Sequence, residues 1–301
     1  MNRICIEKQA PFLLENRFCI QPVITILVLT FVSLLMIFPF IIMVLTSFKT
    51  PQEINSTVFT FWPHEIQFAG YLKMFERGNW PRYFFNSVFL TTAITGISLL
   101  INSLAGYAFA RIDFKGRNFL FILLLVGLMV PIQVEVLPVF IIIKNMPFFG
   151  GNDIFGHGGM GLVDSYLGIM LPLLSGAFGV FLCRQFYMSF PSALDEAAEI
   201  DGCSYLGTFF KIYLPQSKSL LLSLGIIKIT AIWNDYMWTL VAVRSDNMKT
   251  LQLALAGLKS EIVQWDVLMA AATVVALPVI IVFLFNQRLF TQGVATSGIK
   301  N

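Results

Sequence analysis

The chain has 301 residues, 57% of them apolar and only 12% charged, with 30 Phe and a mean hydropathy of +0.77. Water-soluble domains carry about 25% charged residues, so this composition excludes an ordinary soluble domain and indicates a chain solvated mainly by lipid. A net charge of +3, small and dispersed, excludes a nucleic-acid binder.

A helix needs about 20 apolar residues to cross a bilayer. Taken in chain order, residues 23–48 are the first stretch that qualifies. They exceed the roughly 7–15 residues of a signal-peptide core and no A-x-A site follows, so a retained span is expected. Residues 49–83 form a long outer loop whose Trp62 and Trp80 read as an interfacial aromatic belt. Residues 84–110 carry no charge and make the second span, with Ser103, Ala105, Gly106 and Ala110 as a small-residue packing face. Residues 118–143 make the third, interrupted only by Glu135, between Pro131 and Pro138. Two prolines free backbone carbonyls, tolerable only against protein or water, which places Glu135 either on a pathway wall or near the outer rim of a kinked helix.

The outer loop GGNDIFGHGGMG, residues 150–161, reads as a mobile turn, because His157 and Asp153 are too few ligands for a metal. Residues 165–183, bounded by Asp164 and Arg184, make the fourth span. Residues 219–243 make the fifth, interrupted by Lys228 and Asp235. In one continuous helix these two charges share a face, about 10 Å apart along the axis. Asn234 and Asp235 could line a polar route; alternatively Lys228 snorkels and Asp235 sits near the outer interface. The outer loop at residues 244–265 is too apolar for a bare external loop at Leu251, Leu253, Leu255 and Leu258, which suggests a partner contact or a segment lying on lipid. Residues 267–287 make the sixth span. The expected class is therefore all-α integral membrane with six transmembrane helices, since an open strand cannot satisfy its backbone in lipid.

Orientation follows Lys and Arg. With both termini cytoplasmic, Arg3, Lys8, Arg17, Arg184, Lys211, Lys218, Arg288, Lys300 and the short loop RIDFKGR (111–117) fall inside. Cys5, Cys19, Cys183 and Cys203 then share the cytoplasmic side, with no CxxC pair and no zinc spacing. The chain has no GxxxxGK[ST] loop to cradle ATP and no HExxH, and His64 and His157 are its two histidines.

Between the fourth and fifth spans lies DEAAEIDGCSYLGTFFKIYLP, residues 195–215. Ser192 with Asp195 fits a capping box, and Asp195 and Glu196 suit the positive helix N-terminus. Ala197 and Ala198 would let another surface approach closely. Gly202 suits a left-handed C-cap, after which Ser204 or Tyr205 starts a second helix with an apolar face, and Pro215 shapes the exit. Interfacial helices that rest on lipid are usually basic on the polar face. This one is acidic and better suited to a groove on a protein.

The spacing Glu196-Ala197-Ala198, three residues, Gly202, nine residues, Ile212, one residue, Leu214-Pro215 resembles the EAA loop of bacterial ABC-importer permeases. SFKTPQEI (47–54), AGYAFARIDFKG (105–116), VPIQVEVLP (130–138), WNDYMW (233–238) and the tail at 287–300 resemble the maltose-type carbohydrate permeases, in particular the second, shorter permease of each pair. Thr239, where a Pro commonly follows in that family, and Lys228 within a span are departures. The resemblance implies a type I importer fold. Residues 1–83 would hold the tail, first helix and first outer loop, residues 84–288 the transport core with its EAA loop at 191–217, and residues 289–301 a cytoplasmic tail.

It further implies a permease subunit of an ATP-driven sugar or oligosaccharide importer in the bacterial plasma membrane. The partners would be a second homologous permease, two ATPase subunits and an extracytoplasmic sugar-binding protein. The chain would catalyse nothing and hold no cofactor, ATP and Mg being bound by the partner subunits. Glu196, Ala197, Ala198, Asp201, Gly202, Ile212, Leu214 and Pro215 would couple to the ATPase, with Glu196 meeting a basic residue there. Glu135, Lys228, Asn234 and Asp235 are the pathway candidates. The competing reading is an ion-coupled secondary transporter, for which Glu135 and Asp235 would be the intramembrane carboxylates.

Overall fold

The computed structural model describes residues 20–259 and 263–298. Cys5, Cys19, Arg3, Lys8, Arg17 and Lys300 lie outside the described residues. Among the described residues all regular structure is helical.

The first helix, α1 (Ile20–Thr46), is a continuous apolar rod whose side chains are almost all exposed within the chain. It packs along the last helix, Trp265–Gly298. Two short helices, α2 (Pro51–Ile54) and α3 (Ala69–Glu76), organise the first outer loop. The centre is α4 (Trp80–Arg111), 32 residues long. Asn79 caps it by accepting from the Arg82 amide, Pro81 sits in its first turn, and Arg111 closes its C-terminus, each choice matching the chemistry of that end. Its buried positions recur at helical spacing through Tyr83, Ser87, Leu90, Ile94, Ser98, Asn102, Gly106 and Tyr107. A methyl group at Gly106 would collide with Cys183 Cβ, so the expected small-residue contact is made here, against the helix Ala177–Met188.

The third expected span is broken. Helix α5 (Arg117–Val126) runs into a 3₁₀ turn at Gly127–Met129, and α6 (Ile132–Lys144) starts after Pro131 at 112° to it. The reason is local: Pro131 pushes Val130 to an extended conformation (φ −84°, ψ 121°). Pro138 lies within α6. The fourth span is also divided, into α7 (Tyr166–Met170) with a 3₁₀ turn to Leu173, and α8 (Ala177–Met188), bent by 45°. It passes Arg184, the expected boundary, because that guanidinium stacks 4.1 Å from the Phe121 ring and donates to the Phe109 carbonyl.

The loop after α8 holds α9 (Ala193–Ile200), α10 (Tyr205–Thr208), a π-helical turn at Phe209–Tyr213 and α11 (Leu214–Gln216). Helix α12 (Lys218–Trp233) is only 16 residues long and ends at Asn234, and α13 (Met237–Ala242) resumes after the break. The expected fifth span is thus two helices, and Lys228 and Asp235 do not share one helical face, because Asp235 is past the end of α12. Helices α14 (Leu251–Gly257) and α15 (Trp265–Gly298) complete the chain. Among the described residues three helices, α1, α4 and α15, are each long and apolar enough to cross a membrane, and counting each bent pair as one span brings the number to five. The sixth expected crossing requires α12 and α13 together.

Helix α14 explains the apolar outer loop. Leu251 is 1% exposed, and Leu255 and Leu258 pack with it against Met74, Trp80, Tyr83, Trp233 and Val267. Leu253 joins a neighbouring cluster with Leu90, Ile94 and Trp238. These leucines serve the chain's own core. Trp80 belongs to that core as well, correcting its reading as an interfacial belt residue, whereas Trp62 is exposed.

Candidate functional site

The polar loop between α8 and α12 is built as a short rigid bracket. Its first helix, α9, has eight residues, about 12 Å of helix. The capping box does not form. Ser192 has helical dihedrals and makes no side-chain cap bond, and Asp195 is engaged elsewhere. The C-terminus does close as the sequence predicts. Gly202 takes φ +71°, its amide donates to the Glu199 carbonyl at 3.0 Å, and the Cys203 amide donates to the Ala198 carbonyl at 2.9 Å. This pair of bonds is the Schellman closure, and it turns the chain toward α10. Ser204 caps α10 by accepting from the Gly207 amide at 3.2 Å.

The wide turn at Phe209–Tyr213 sends Phe209 and Tyr213 into a buried cluster with Tyr107, Cys183 and Tyr187. Burial pushes the Tyr213 phenol above its ordinary range, and its hydrogen bond to Asp195 acts in the same direction, so it remains a donor. It donates to Asp195 Oδ1 at 2.7 Å. Asp195 Oδ2 lies 3.2 Å from Arg111 Nη1, which joins α9 to the end of α4.

The predicted docking residues divide into two sets. Glu196, Ala197, Asp201, Gly202 and Pro215 are exposed. Ala198 is buried within the chain, so the close approach expected of it is made inward, and Ile212 and Leu214 pack on the aromatic cluster. Ile200, Tyr205, Leu206 and Phe210 add exposed apolar surface to the same loop; Ile200 is 86% exposed. The loop thus presents carboxylates and large apolar side chains together.

The pathway candidates are scattered. Asn234 is exposed, accepts from Gln252 Nε2 at 3.0 Å and donates to the Thr230 carbonyl. Asp235 accepts from the Thr239 amide at 3.3 Å, which caps the start of α13. It also lines a narrow internal cavity with Ser87, Thr91, Thr239 and Thr250, so it faces α4 within the subunit. Thr91 Oγ1 is buried in this cavity, and Thr95 Oγ1 is buried one turn further along α4, each without a hydrogen-bond partner among the described residues. Lys228 is half-buried on α12, and Glu135 is half-buried in the first turn of α6 beside the Pro131 break.

At the other end of α4, residues 246–251 are tied to it. Asn86 donates to the carbonyls of Asn247 and Lys249, Tyr83 donates to Asp246 at 2.7 Å, and the Leu251 amide donates to Ser87. The glycine-rich loop is a closed structure, unlike the mobile turn expected. Asn152 bonds the carbonyls of Lys144 and Met146 and the Gly159 amide, and Asp153 Oδ1 accepts from the amides of Phe155 and His157. Asp164 (φ +60°) follows, and its Oδ1 accepts from the amides of Arg244 and Ser245 and from the Ser245 hydroxyl. Burial alone would raise this carboxyl, but the three donors outweigh it and hold it below the usual carboxylate range. A depressed carboxyl contributes stability that is complete above its ordinary pKa and lost as pH falls through its folded value. Asp164→Ala should therefore lower stability by about 1–3 kcal/mol at neutral pH, with the gap from the parent narrowing below about pH 4. Asp164→Asn, which tolerates the left-handed backbone, should cost less. Thermal denaturation in detergent at pH 7 and pH 3.5 checks both.

A family model described as binding-protein-dependent transport system inner membrane component matches residues 102–296. The chain belongs to that family. It is 34% identical over 274 residues to the arabinooligosaccharides transport system permease protein AraQ of Halalkalibacterium halodurans, covering 90% of this chain and 93% of that one. It is 32% identical over 271 residues to the lactose transport system permease protein LacG of Rhizobium radiobacter, with 90% and 93% covered. Among solved structures, a bacterial ABC transporter involved in the import of the acidic polysaccharide alginate aligns with a TM-score of 0.75 at 22% identity, over 93% of this chain and 99% of that chain. The fold is the type I ABC-importer permease fold, as the resemblance implied.

For a permease of this family, two features of the loop went unread in the sequence. One is the Asp195–Arg111–Tyr213 contact, which joins residues 84 positions apart in one case and 18 in the other. Its signal was the position of Arg111 at the end of an apolar span. The other is the burial of Ala198 and the packing of Ile212 and Leu214 on the aromatic cluster, which spacing alone does not encode.

Proposed function

We propose that this permease forms half of the translocation path of an ATP-driven importer for a sugar or oligosaccharide, and that residues 191–217 dock onto an ATPase subunit. The observation that carries this reading is the exposed face of that loop. Glu196, Ala197 and Asp201 stand beside Ile200, Tyr205 and Leu206, on a bracket closed at Gly202 and tied to α4. A carboxylate next to large apolar side chains suits a cleft on a protein that offers a basic partner. Anionic lipid would repel it.

The chain sits in the bacterial plasma membrane with both termini cytoplasmic, which puts this loop and RIDFKGR on the same side. It performs no chemistry; ATP and Mg are bound by two ATPase subunits, a second homologous permease completes the path, and an extracytoplasmic sugar-binding protein delivers substrate. The transport core spans residues 84–288. The names of the relatives that cover nine-tenths of this chain, for arabino-oligosaccharides and lactose, support a carbohydrate cargo. Alternating access then consists of rocking one permease against the other.

Affinity purification of the tagged chain from its native membrane tests this. An ATPase and a second permease should come down with it, and the lone chain in liposomes should show no sugar uptake. Robust uptake by the lone chain would overturn the reading.

A further inference from the structure

Arg111, the last residue of α4, spends its guanidinium on the end of α8 and on the loop that follows it. Nη1 lies 3.2 Å from Asp195 Oδ2, Nε and Nη2 donate to the Tyr187 carbonyl at 3.1 and 2.6 Å, and Nη2 also donates to the Phe190 carbonyl. Its Cζ stands 5.6 Å from the centre of the Tyr213 ring, and the Tyr213 hydroxyl closes the triangle on Asp195 Oδ1. The side chain is 13% exposed. An exposed ion pair holds little, because water screens it and both chains lose freedom to form it. This contact is of another kind: a planar fork is used on several sides at once, on a carboxylate, two carbonyls and a ring.

The elements it joins matter more than its strength. Tyr187 is in the last turn of α8, Phe190 is in the linker to α9, Asp195 is in the first turn of α9, and Tyr213 ends the π-helical turn before α11. Through the backbone, α9 is connected only to its chain neighbours, on the α8 side and the α12 side. Arg111 adds a direct connection to α4, the helix that also carries the outer-loop anchors Tyr83, Asn86 and Ser87. Glu196, Glu199 and Asp201 are exposed on α9 and at its end, leaving Asp195 as the carboxylate turned toward α4.

We propose that Arg111 is a positioning residue for transport, the joint that carries a displacement of α9 into α4. This rests on the reading that residues 191–217 dock onto an ATPase. Losing the joint should leave docking intact and uncouple hydrolysis from movement of the path.

The test uses the complete importer in proteoliposomes, with Arg111→Gln, Arg111→Lys and Asp195→Asn. Membrane level, ATPase retention, ATP hydrolysis and sugar transport are measured for each. Arg111→Gln should keep its membrane level and its ATPase while transport per ATP hydrolysed falls at least tenfold. Arg111→Lys, which retains the charge on Asp195 without the fork, should recover part of that ratio. Asp195→Asn, which keeps a partner for Tyr213, should fall between them. An unchanged ratio in Arg111→Gln and Asp195→Asn overturns the proposal. So does a loss of membrane level or of bound ATPase in step with transport in all three, since that describes a folding or docking role. If the unaltered importer retains no ATPase, the docking reading itself has failed, which the same preparation shows before any variant is compared.

Discussion

Glu196→Ala should abolish transport and loosen the ATPase while leaving the permease in the membrane at near-normal level. Glu196 is exposed in the isolated chain and, among the described residues, forms no ion pair with the chain's own bases, so its removal breaks no internal ion pair. In the docked complex proposed above, the carboxylate would be covered and would meet a basic group in the ATPase cleft. Removing one partner of a covered pair leaves the other charge stranded, at a cost on the order of 3 kcal/mol, about a hundredfold in affinity. Pull-down of the ATPase, membrane level and sugar uptake, measured on one preparation, check this.

Gly202→Val is expected to have a comparable effect on transport by a different route. At φ +71° an L residue is strained, and a β-branched one most of all, by about 1–3 kcal/mol. A Cβ at Gly202 would meet nothing within 4 Å, so the penalty is conformational rather than steric. Relief comes from abandoning the two closing bonds at Glu199 and Ala198, which redirects α10. The spans should still insert. Transport should fall about tenfold or more, and Gly202→Asn, which accepts a left-handed backbone, should retain most of it. Near-normal transport in both Glu196→Ala and Gly202→Val would mean that this loop does not drive the permease.

What was readable in the sequence is what depends on short-range chemistry. Charge-free runs identify α1, α4 and α15, and Gly202 announces its own backbone conformation. Ser204 announces the start of α10. The prolines at 131 and 138 signal a disturbed helix, yet the size of the bend at Pro131 depends on how α5 and α6 pack, which spacing does not encode. Helix α12 stops at Asn234 although the hydrophobic run continues to Val243, and a periodicity argument that treats the run as one helix misplaces Asp235. The same limit applies to residues 251–258. Their apolarity is plain, but whether a partner, lipid or the chain's own core covers it is decided by the long-range contact with Met74, Trp80 and Val267. Asp195 is the clearest case. Local rules assign it to a capping box, and a cation distant in sequence claims it instead.

The length of α4 sets a mechanical scale. At 1.5 Å per residue its 32 residues make a beam about 48 Å long, fastened near one end by Tyr83 and Asn86 and at the other by Arg111. Tilting such a beam by about 5° around that first fastening, about 40 Å from Arg111, sweeps the Arg111 end through about 3.5 Å, roughly two-thirds of the rise of one helical turn. In the proposed importer, a movement of that size at the loop would be passed along one uninterrupted element to the segments fastened at Tyr83 and Asn86.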